Sequence, residues 1–272
     1  MRLWVLGTGS RGNAVLFECG GARLLIDAGF GVRTLETRLR AAGVAPDSVG
    51  ACLITHEHAD HVRGAVPAAA KWGWTLHATA GTLAAAPELV AAGARAFRAG
   101  ESLAIDGFDV ATAPTSHDAR ESVAVAVTGR ASGARAAVCY DLGAAGDAVR
   151  ALLAGAEAVV LEANHDEGML RAGPYPPSVA ARIAGRQGHL SNAAAGRLAR
   201  DVARAGLRHV VLAHLSESCN APRLAADAVQ GALAATRFRG AVTPATQEAL
   251  LGPFALTHGR AARDVGQLSF AL

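Results

Sequence analysis

The stretch 53-LITHEHADHVRG-64 places three histidines, a glutamate and an aspartate (His56, Glu57, His58, Asp60, His61) within six residues. The apolar run VGACLIT (49–55) leads into it, and a helix-forming segment follows. Side chains alternate along an extended chain, so His56 and His58 point one way and Glu57 the other. Asp60 and His61 fall where a helix begins and can turn toward a second centre. One cation does not easily gather all four across a helical turn, whereas two neighbouring cations can. Imidazole and carboxylate donors in this density suit zinc-like divalent ions better than they suit a solvated loop.

Outward from this point, strands and helices follow one another. RLWVL (2–6), NAVLFEC (13–19) and ARLLID (22–27) are apolar or alternating runs separated by glycines, as in a meander. A helix is expected over 32–42, with Leu35 and Leu39 on one face and a stop at Gly43. After the histidine cluster the pattern predicts a helix (61–72), a strand (74–78), a helix (80–92) and strands at 102–106, 108–113 and 122–128. The second half restarts with RAAVCYD (135–141) and continues with a helix, AVVLEAN (158–164) and two helices, the later at 193–205. HVVLAH (209–214), a helix at 222–235 and a tail of strands and turns from Gly240 complete it. This is the pattern of a layered α/β protein. With no repeat and no Pro/Ser-rich linker, a single domain over 1–272 is expected.

The chain is 51% hydrophobic and 18% charged, enough to bury a core and too apolar for a disordered chain. No run of about 18 uncharged apolar residues argues for a membrane span, and MRLWVLGTGS lacks the apolar region of a secretory signal. A cytoplasmic protein without a membrane partner is expected. Cys19, Cys52, Cys139 and Cys219 form no C-x-x-C pair and read as buried thiols. A net charge of +3 permits a nucleic-acid partner without demanding one. Lys71 is the only lysine; the remaining basic residues are arginines, which can grip phosphate bidentately. GTGSRG (7–12) matches G-x-G-x-x-G, but a dinucleotide fingerprint opens a helix and NAVLFEC alternates like a strand. Neither a nicotinamide nor a flavin is expected; the glycines read as a turn that lines the site.

Further ligands should lie where strands end, since open α/β sheets place their sites there. His117 in TSHDA, Asp141 at the end of RAAVCYD and His214 at the end of HVVLAH qualify. With the cluster they complete two coordination shells. Asp27 ends ARLLID and is expected behind an imidazole, orienting it.

These residues resemble the metallo-β-lactamase fold superfamily, whose nuclease members, such as ribonuclease Z, carry H-x-H-x-D-H, a lone His, an Asp and a late H-[FL]-S. Within it the chain is similar to the YycJ/WalJ group, bacterial relatives described as DNA exonucleases. The strings that carry the likeness are LGTGSRGNA, LLIDAG, THEHADHVRG, SHDA, CYDLG, LEANHDEGML, GHLSN and AHLSESCN, spanning 6–220. Cys219 departs from the polar residue expected in relatives. The resemblance implies an αββα sandwich with a dinuclear site at the edge of its two sheets. It implies His56, His58 and His117 on one metal, Asp60, His61 and His214 on the other, and Asp141 bridging. Two divalent ions per chain are expected, Zn2+ first and Mn2+ second. Asp60 takes a catalytic role beside its ligand role.

Two neighbouring metals can generate hydroxide near neutral pH and stabilise attacking and leaving oxygens, which suits phosphodiester hydrolysis. A thioesterase of the glyoxalase type has its third histidine in G-H-T-P-G, unlike TSHDA; a diiron relative has a carboxylate where His58 stands; a secreted β-lactamase requires an export signal. In GHLSN, Ser191 and Asn192 look like caps of the 193–205 helix, whose N-terminus can bind an anion. The segment resembles the ribonuclease Z stretch whose histidine assists at the scissile phosphate, which implies a catalytic His189 with Ser191 and Asn192 at the substrate. Asn164 and His165 either contact substrate or support a ligand. A metal-dependent exonuclease acting on DNA rather than RNA is the leading reading. A small-molecule hydrolase (thioester, lactone or phosphodiester) and a non-catalytic nucleic-acid-binding protein with a structural metal centre are the alternatives. Structural zinc sites are usually closed and tetrahedral, which argues against the last. The sequence leaves the oligomeric state open.

Overall fold

A computed structural model describes residues 1–257. The expected meander is present as β1 (Arg2–Gly7), β2 (Ala14–Cys19) and β3 (Ala22–Ile26), followed by α1 (Val32–Ala41). Next come β4 (Ala51–Leu53), α2 (Ala59–Val62), α3 (Ala65–Trp72), β5 (Thr75–Thr79), α4 (Ala80–Ala85), α5 (Pro87–Ala91) and β6 (Arg95–Phe97). Then follow β7 (Ser102–Ile105), β8 (Phe108–Pro114), β9 (Val123–Gly129), β10 (Arg135–Cys139), α6 (Asp147–Leu153) and β11 (Ala158–Glu162). The described chain closes with α7 (Glu167–Ala172), α8 (Pro177–Ile183), α9 (Asn192–Val202), β12 (His209–Ala213), α10 (Pro222–Ala234), β13 (Ala241–Pro244) and β14 (Leu251–Ala255).

The strands form two seven-stranded sheets, ordered β14-β1-β2-β3-β4-β5-β6 and β13-β12-β11-β10-β9-β8-β7. Each is antiparallel through its hairpins and parallel from β3 to β6 or from β10 to β13. Alternation along the strands sends side chains into two different cores. Val15, Phe17 and Leu24 meet Val125, Val138 and Val160 between the sheets. On the far side of the first sheet, Leu16, Leu25 and Cys52 pack on Leu35, Leu39 and Ala68 of the helices. On the far side of the second, Val159, Leu161 and Leu212 pack on Leu153, Leu198 and Val229. Both faces are covered, so these strands read as unbroken apolar runs. The result is the expected αββα sandwich. All four cysteines are buried and free. Among the described residues no helix is long and apolar enough to cross a membrane.

The helix expected over 61–72 is broken: Gly64 donates its N–H to the Ala28 carbonyl, and a Cβ there would collide with the Phe30 carbonyl oxygen. Pro87 divides the 80–92 helix, since it cannot donate to the preceding turn. The edge strand β6 was not expected, and the 193–205 helix ends at Val202. Residues 258–272 of the expected single domain and of its strand-and-turn tail lie outside the described residues.

Candidate metal centre

The parallel strands of the two sheets end along one edge, and the donor side chains sit just beyond them. Asp27 follows β3, Asp141 follows β10 and His214 follows β12; all three have left-handed backbone (φ 61°, 56° and 54°). Such a conformation costs an L residue energy and persists where the surroundings over-determine it. At Asp27 the cause is visible. Its buried carboxylate accepts from Thr55 N (2.7 Å), Thr55 Oγ1 (2.8 Å) and Tyr140 OH (2.6 Å), and lies 2.8 Å from His61 Nδ1. A carboxylate only accepts, so His61 carries a hydrogen on Nδ1 toward Asp27. The loop reaches this far because residue 29 is glycine: a Cβ there would strike the Asp60 carbonyl oxygen.

His58 caps α2 without a side-chain bond, and Asp60 and His61 lie in its single turn. Asn13, from the glycine-rich turn, holds this turn through its N–H to the Asp60 carbonyl (2.8 Å) and its amide to Asp60 Oδ2 (3.2 Å). GTGSRG is thus the strand-to-strand turn expected, and it lines the site through Ser10. Glu57 points away and accepts from Arg120 N (2.6 Å).

The second sheet supplies the opposite wall. His117 donates from Nδ1 to the Gly188 carbonyl (3.2 Å), which turns Nε2 toward His58 Nδ1 at 3.2 Å. Asp141 Oδ1 lies 3.2 Å from His189 Nδ1 and 3.3 Å from His214 Nδ1. Behind them stands Glu162, the last residue of β11, which sequence reasoning missed. Its side chain is fully buried, contacts His189 Nδ1 at 2.8 Å and His214 Nδ1 at 3.2 Å, and accepts from Leu142 N and Leu190 N, both at 3.1 Å. The only signal was an acid closing an apolar strand run. Tyr140 and Asn13 gave still less.

Among the described residues four donor groupings converge so that the atoms of each lie within 4.8 Å of one another: His56–His58–His117, Asp60–His61–His214, His56–His61–Asp141 and Asp141–Glu162–His189–His214. Several of these atoms are buried without a partner. His56 Nε2 and Asp141 Oδ2 make no hydrogen bond. His61 Nε2 stands 2.9 Å from Asp141 Oδ2. Burial opposes a charged His61, but the Asp27 and Asp141 carboxylates outweigh it and raise its pKa well above the usual value, so this contact calls for a positive charge, either a proton on Nε2 or a cation in its place.

The titration behaviour has the same cause. Burial opposes the Asp60 and Asp141 carboxylates, yet the neighbouring histidines hold both far below the usual range. Burial also opposes the His189 charge, but Glu162 and Asp141 outweigh it and raise its pKa to about 11. His214 rises to about 9, with Asp141, Asp60 and Glu162 overcoming burial. His56 and His117 are driven down, chiefly by burial, and are neutral donors. Nitrogen and carboxylate donors around concentrated negative charge form a divalent-metal site.

The centre floors a cleft of about 210 Å³, rimmed by Asp118, Arg182 and Ile183. Around the GHLSN segment the expected residues divide. His189 faces the cleft, its side chain 22% exposed. Ser191 caps α9 by accepting from Ala194 N (3.2 Å) and donates to Glu167 (2.9 Å). Asn192 was expected as a cap, but it is the first helical residue. Its amide forms a reciprocal pair with Asn220 (2.8 and 2.9 Å), because the asparagine side chain points into the core. Asn164 donates to the His214 carbonyl (2.9 Å). His165 is buried and lines a neighbouring cavity. Cys219, where a polar residue was expected, is buried and accepts from Asp166 N through its carbonyl.

Residues 22–215 match the family model of the β-lactamase superfamily domain. The exodeoxyribonuclease YycJ of Bacillus anthracis is 32% identical over 233 residues, covering 84% of this chain and 88% of the relative. The exodeoxyribonuclease WalJ of Streptococcus pneumoniae is 30% identical over 228 residues, covering 81% of this chain and 84% of the relative. The crystal structure of the metallo-β-lactamase fold protein YhfI from Bacillus subtilis superposes with a TM-score of 0.67 at 18% identity, over 92% of this chain and 97% of the other, a likeness of fold alone. The histidine loop, the strand-end carboxylates and the paired sheets place the chain in the metallo-β-lactamase fold superfamily of metal-dependent hydrolases, with YycJ and WalJ among its relatives.

Proposed function

We propose that the protein is a two-metal phosphodiesterase that degrades DNA from an end. The observation that carries this reading is the meeting of His56–His58–His117 and Asp60–His61–His214 on either side of Asp141 in one open cleft. These seven residues would hold two divalent ions, zinc or manganese, with Asp141 shared. When bound, such ions supply a nucleophile at neutral pH and offset charge on the attacking and leaving oxygens. Asp27 and Thr55 fix the ring of His61 from behind. Asp60, gripped by Asn13, doubles as an acceptor for the proton of the attacking water. His189, held on Nδ1 by Glu162 and Asp141, offers Nε2 to a phosphoryl or leaving oxygen. Ser191 and His165 lie on the substrate path, while Asn164 and Asn192 brace the loops. The names of YycJ and WalJ support DNA as the substrate, and a cytoplasmic location is proposed with it.

The test is a panel of end-labelled single- and double-stranded DNA and RNA, with zinc and manganese supplied separately. DNA should be shortened from one end, and binding should weaken as salt rises through counterion release. Rapid turnover of a lactam or thioester, with every nucleic acid left intact under either metal, would instead establish a small-molecule hydrolase.

A further inference from the structure

Beside the metal cleft lies a second cavity of about 500 Å³, within the roughly 300–1,000 Å³ typical of small-ligand pockets. His189 lines both spaces. So does α8, which presents Arg182 and Ile183 to the metal cleft and Ala180, Ala181 and the following Ala184 to the cavity. No residue of α8 is buried, so this helix is a thin partition and not part of the core.

The cavity lining is unlike the metal cleft. Leu170 and Ala194 join the α8 alanines in an apolar wall, and His165, Glu167, Arg171, His189, Ser191 and Arg197 supply the polar groups. His165 is only 2% exposed, yet its Nδ1 has no hydrogen-bond partner, and neither ring nitrogen is bonded among the described residues. A buried imidazole left unpaired costs free energy unless a ligand completes it. Arg171 and Arg197 also line the space and enter no ion pair or hydrogen bond among the described residues. Glu167, the one acid in the lining, is engaged by Ser191. An apolar wall, an unpaired imidazole and two guanidinium groups without an ion pair among the described residues are features that can receive one nucleotide. A base can rest on such a wall with its edge on the imidazole, while arginines stack on it or grip a phosphate.

We infer that this cavity is a nucleotide pocket, taking one nucleotide of the DNA strand while the adjoining phosphodiester lies over the metal centre. The inference rests on the phosphodiesterase reading and adds what that reading lacks, a reason for the strand to be positioned by one unit at its end.

The metal-loaded protein should be compared on two chromogenic phosphodiesters, thymidine 5′-(p-nitrophenyl phosphate) and bis(p-nitrophenyl) phosphate. The parent should prefer the nucleoside ester. Ala181→Leu/Ala184→Leu narrows the cavity from an exposed helix, and His165→Leu removes its imidazole. Losing contact to one base should lower that preference about tenfold or more, read mainly in KM. The double variant should keep its rate on bis(p-nitrophenyl) phosphate. Calorimetry gives a second readout: the parent should bind thymidine 5′-monophosphate more tightly than inorganic phosphate, and the double variant should lose that margin. An unchanged preference and margin in both variants, or an equal fall on both esters, would overturn the pocket. A parent that cleaves neither ester but binds the nucleotide with the expected margin would instead sink the phosphodiesterase reading.

Discussion

The two walls of the metal cleft are built in opposite ways. The first sheet contributes a single hexapeptide, His56 to His61, whose spacing alone turns the side chains inward and which one buried acid, Asp27, braces from behind. The second sheet contributes residues drawn from far apart in sequence, His117, Asp141, His189 and His214, gathered around a different buried acid, Glu162. The first wall is contiguous in sequence, with Asn13, Asp27 and Tyr140 reaching it as supports from other strands. The second exists only once β10, β11 and β12 stand side by side and Asn220 ties Asn192 to the Ala163 and Asn164 carbonyls. A defect in the first wall should therefore stay local, and one in the second should spread.

The sharpest way to break the comparison is at Asp141, where the walls meet. Asp141→Ala should cost the protein both metal content and activity. Its effect should exceed that of His117→Ala, and exceed the roughly 10–100-fold typical of a residue standing behind the ligands. Metal analysis of the parent should give about two ions per chain. One ion per chain, unchanged in Asp141→Ala, would sink the dinuclear arrangement.

His189→Ala comes next. It removes a donor at the cleft but no member of the seven-residue ligand set, so turnover should drop by about 10²–10⁴-fold while metal content and Tm stay near the parent values. Full activity would reduce GHLSN to a helix cap. Loss of metal would make His189 a ligand, and the grouping of Asp141, Glu162, His189 and His214 would then be a binding set in its own right.

The two bracing acids separate the walls directly. Asp27→Asn should weaken metal binding about 10–100-fold, because it unfixes His61. Glu162→Gln should act on a similar scale but fall more on turnover, since it releases His189 as well as His214. Metal titration and steady-state kinetics on both variants would show this split. Identical losses in both readouts would mean that the walls are one cooperative unit.

The same contrast explains what could be read from the chain. The histidine loop was legible because its chemistry is contiguous, and His117, Asp141 and His214 because each closes a strand. Their meeting in one cleft follows from the sandwich, whose layers were legible from apolar runs. Glu162 was hidden because an acid at the end of AVVLE looks like any strand terminus until β10 and β12 flank it. Tyr140 and Asn13 act through atoms brought from remote strands, and nothing local marks them. Asn192 misled for the opposite reason: it has the composition of a cap, but Ser191 takes that position and the amide turns to Asn220. The break at Gly64 was missed because helical spacing continues through it, and only the approach of the Ala28–Phe30 loop forbids a side chain there.

Ser191 should show the smallest effect, and it tests whether the second wall tolerates loosening at its rim. Its hydroxyl accepts from Ala194 N and donates to Glu167, so it ties the start of α9 to the start of α7. Ser191→Ala removes both contacts and should cost about 0.5–2 kcal/mol of stability, the usual range for a lost N-cap. The backbone bond from Asn192 N to the His165 carbonyl (2.8 Å) does not involve the hydroxyl and should hold the segment in place. Metal content should therefore be unchanged, and KM for DNA should rise modestly while turnover stays close to that of the parent. Thermal melting with metal analysis and kinetics on one preparation decides the matter. If Ser191→Ala lowers turnover as much as His189→Ala does, the hydroxyl belongs to the reacting cleft, and the division between metal centre and neighbouring cavity is drawn in the wrong place.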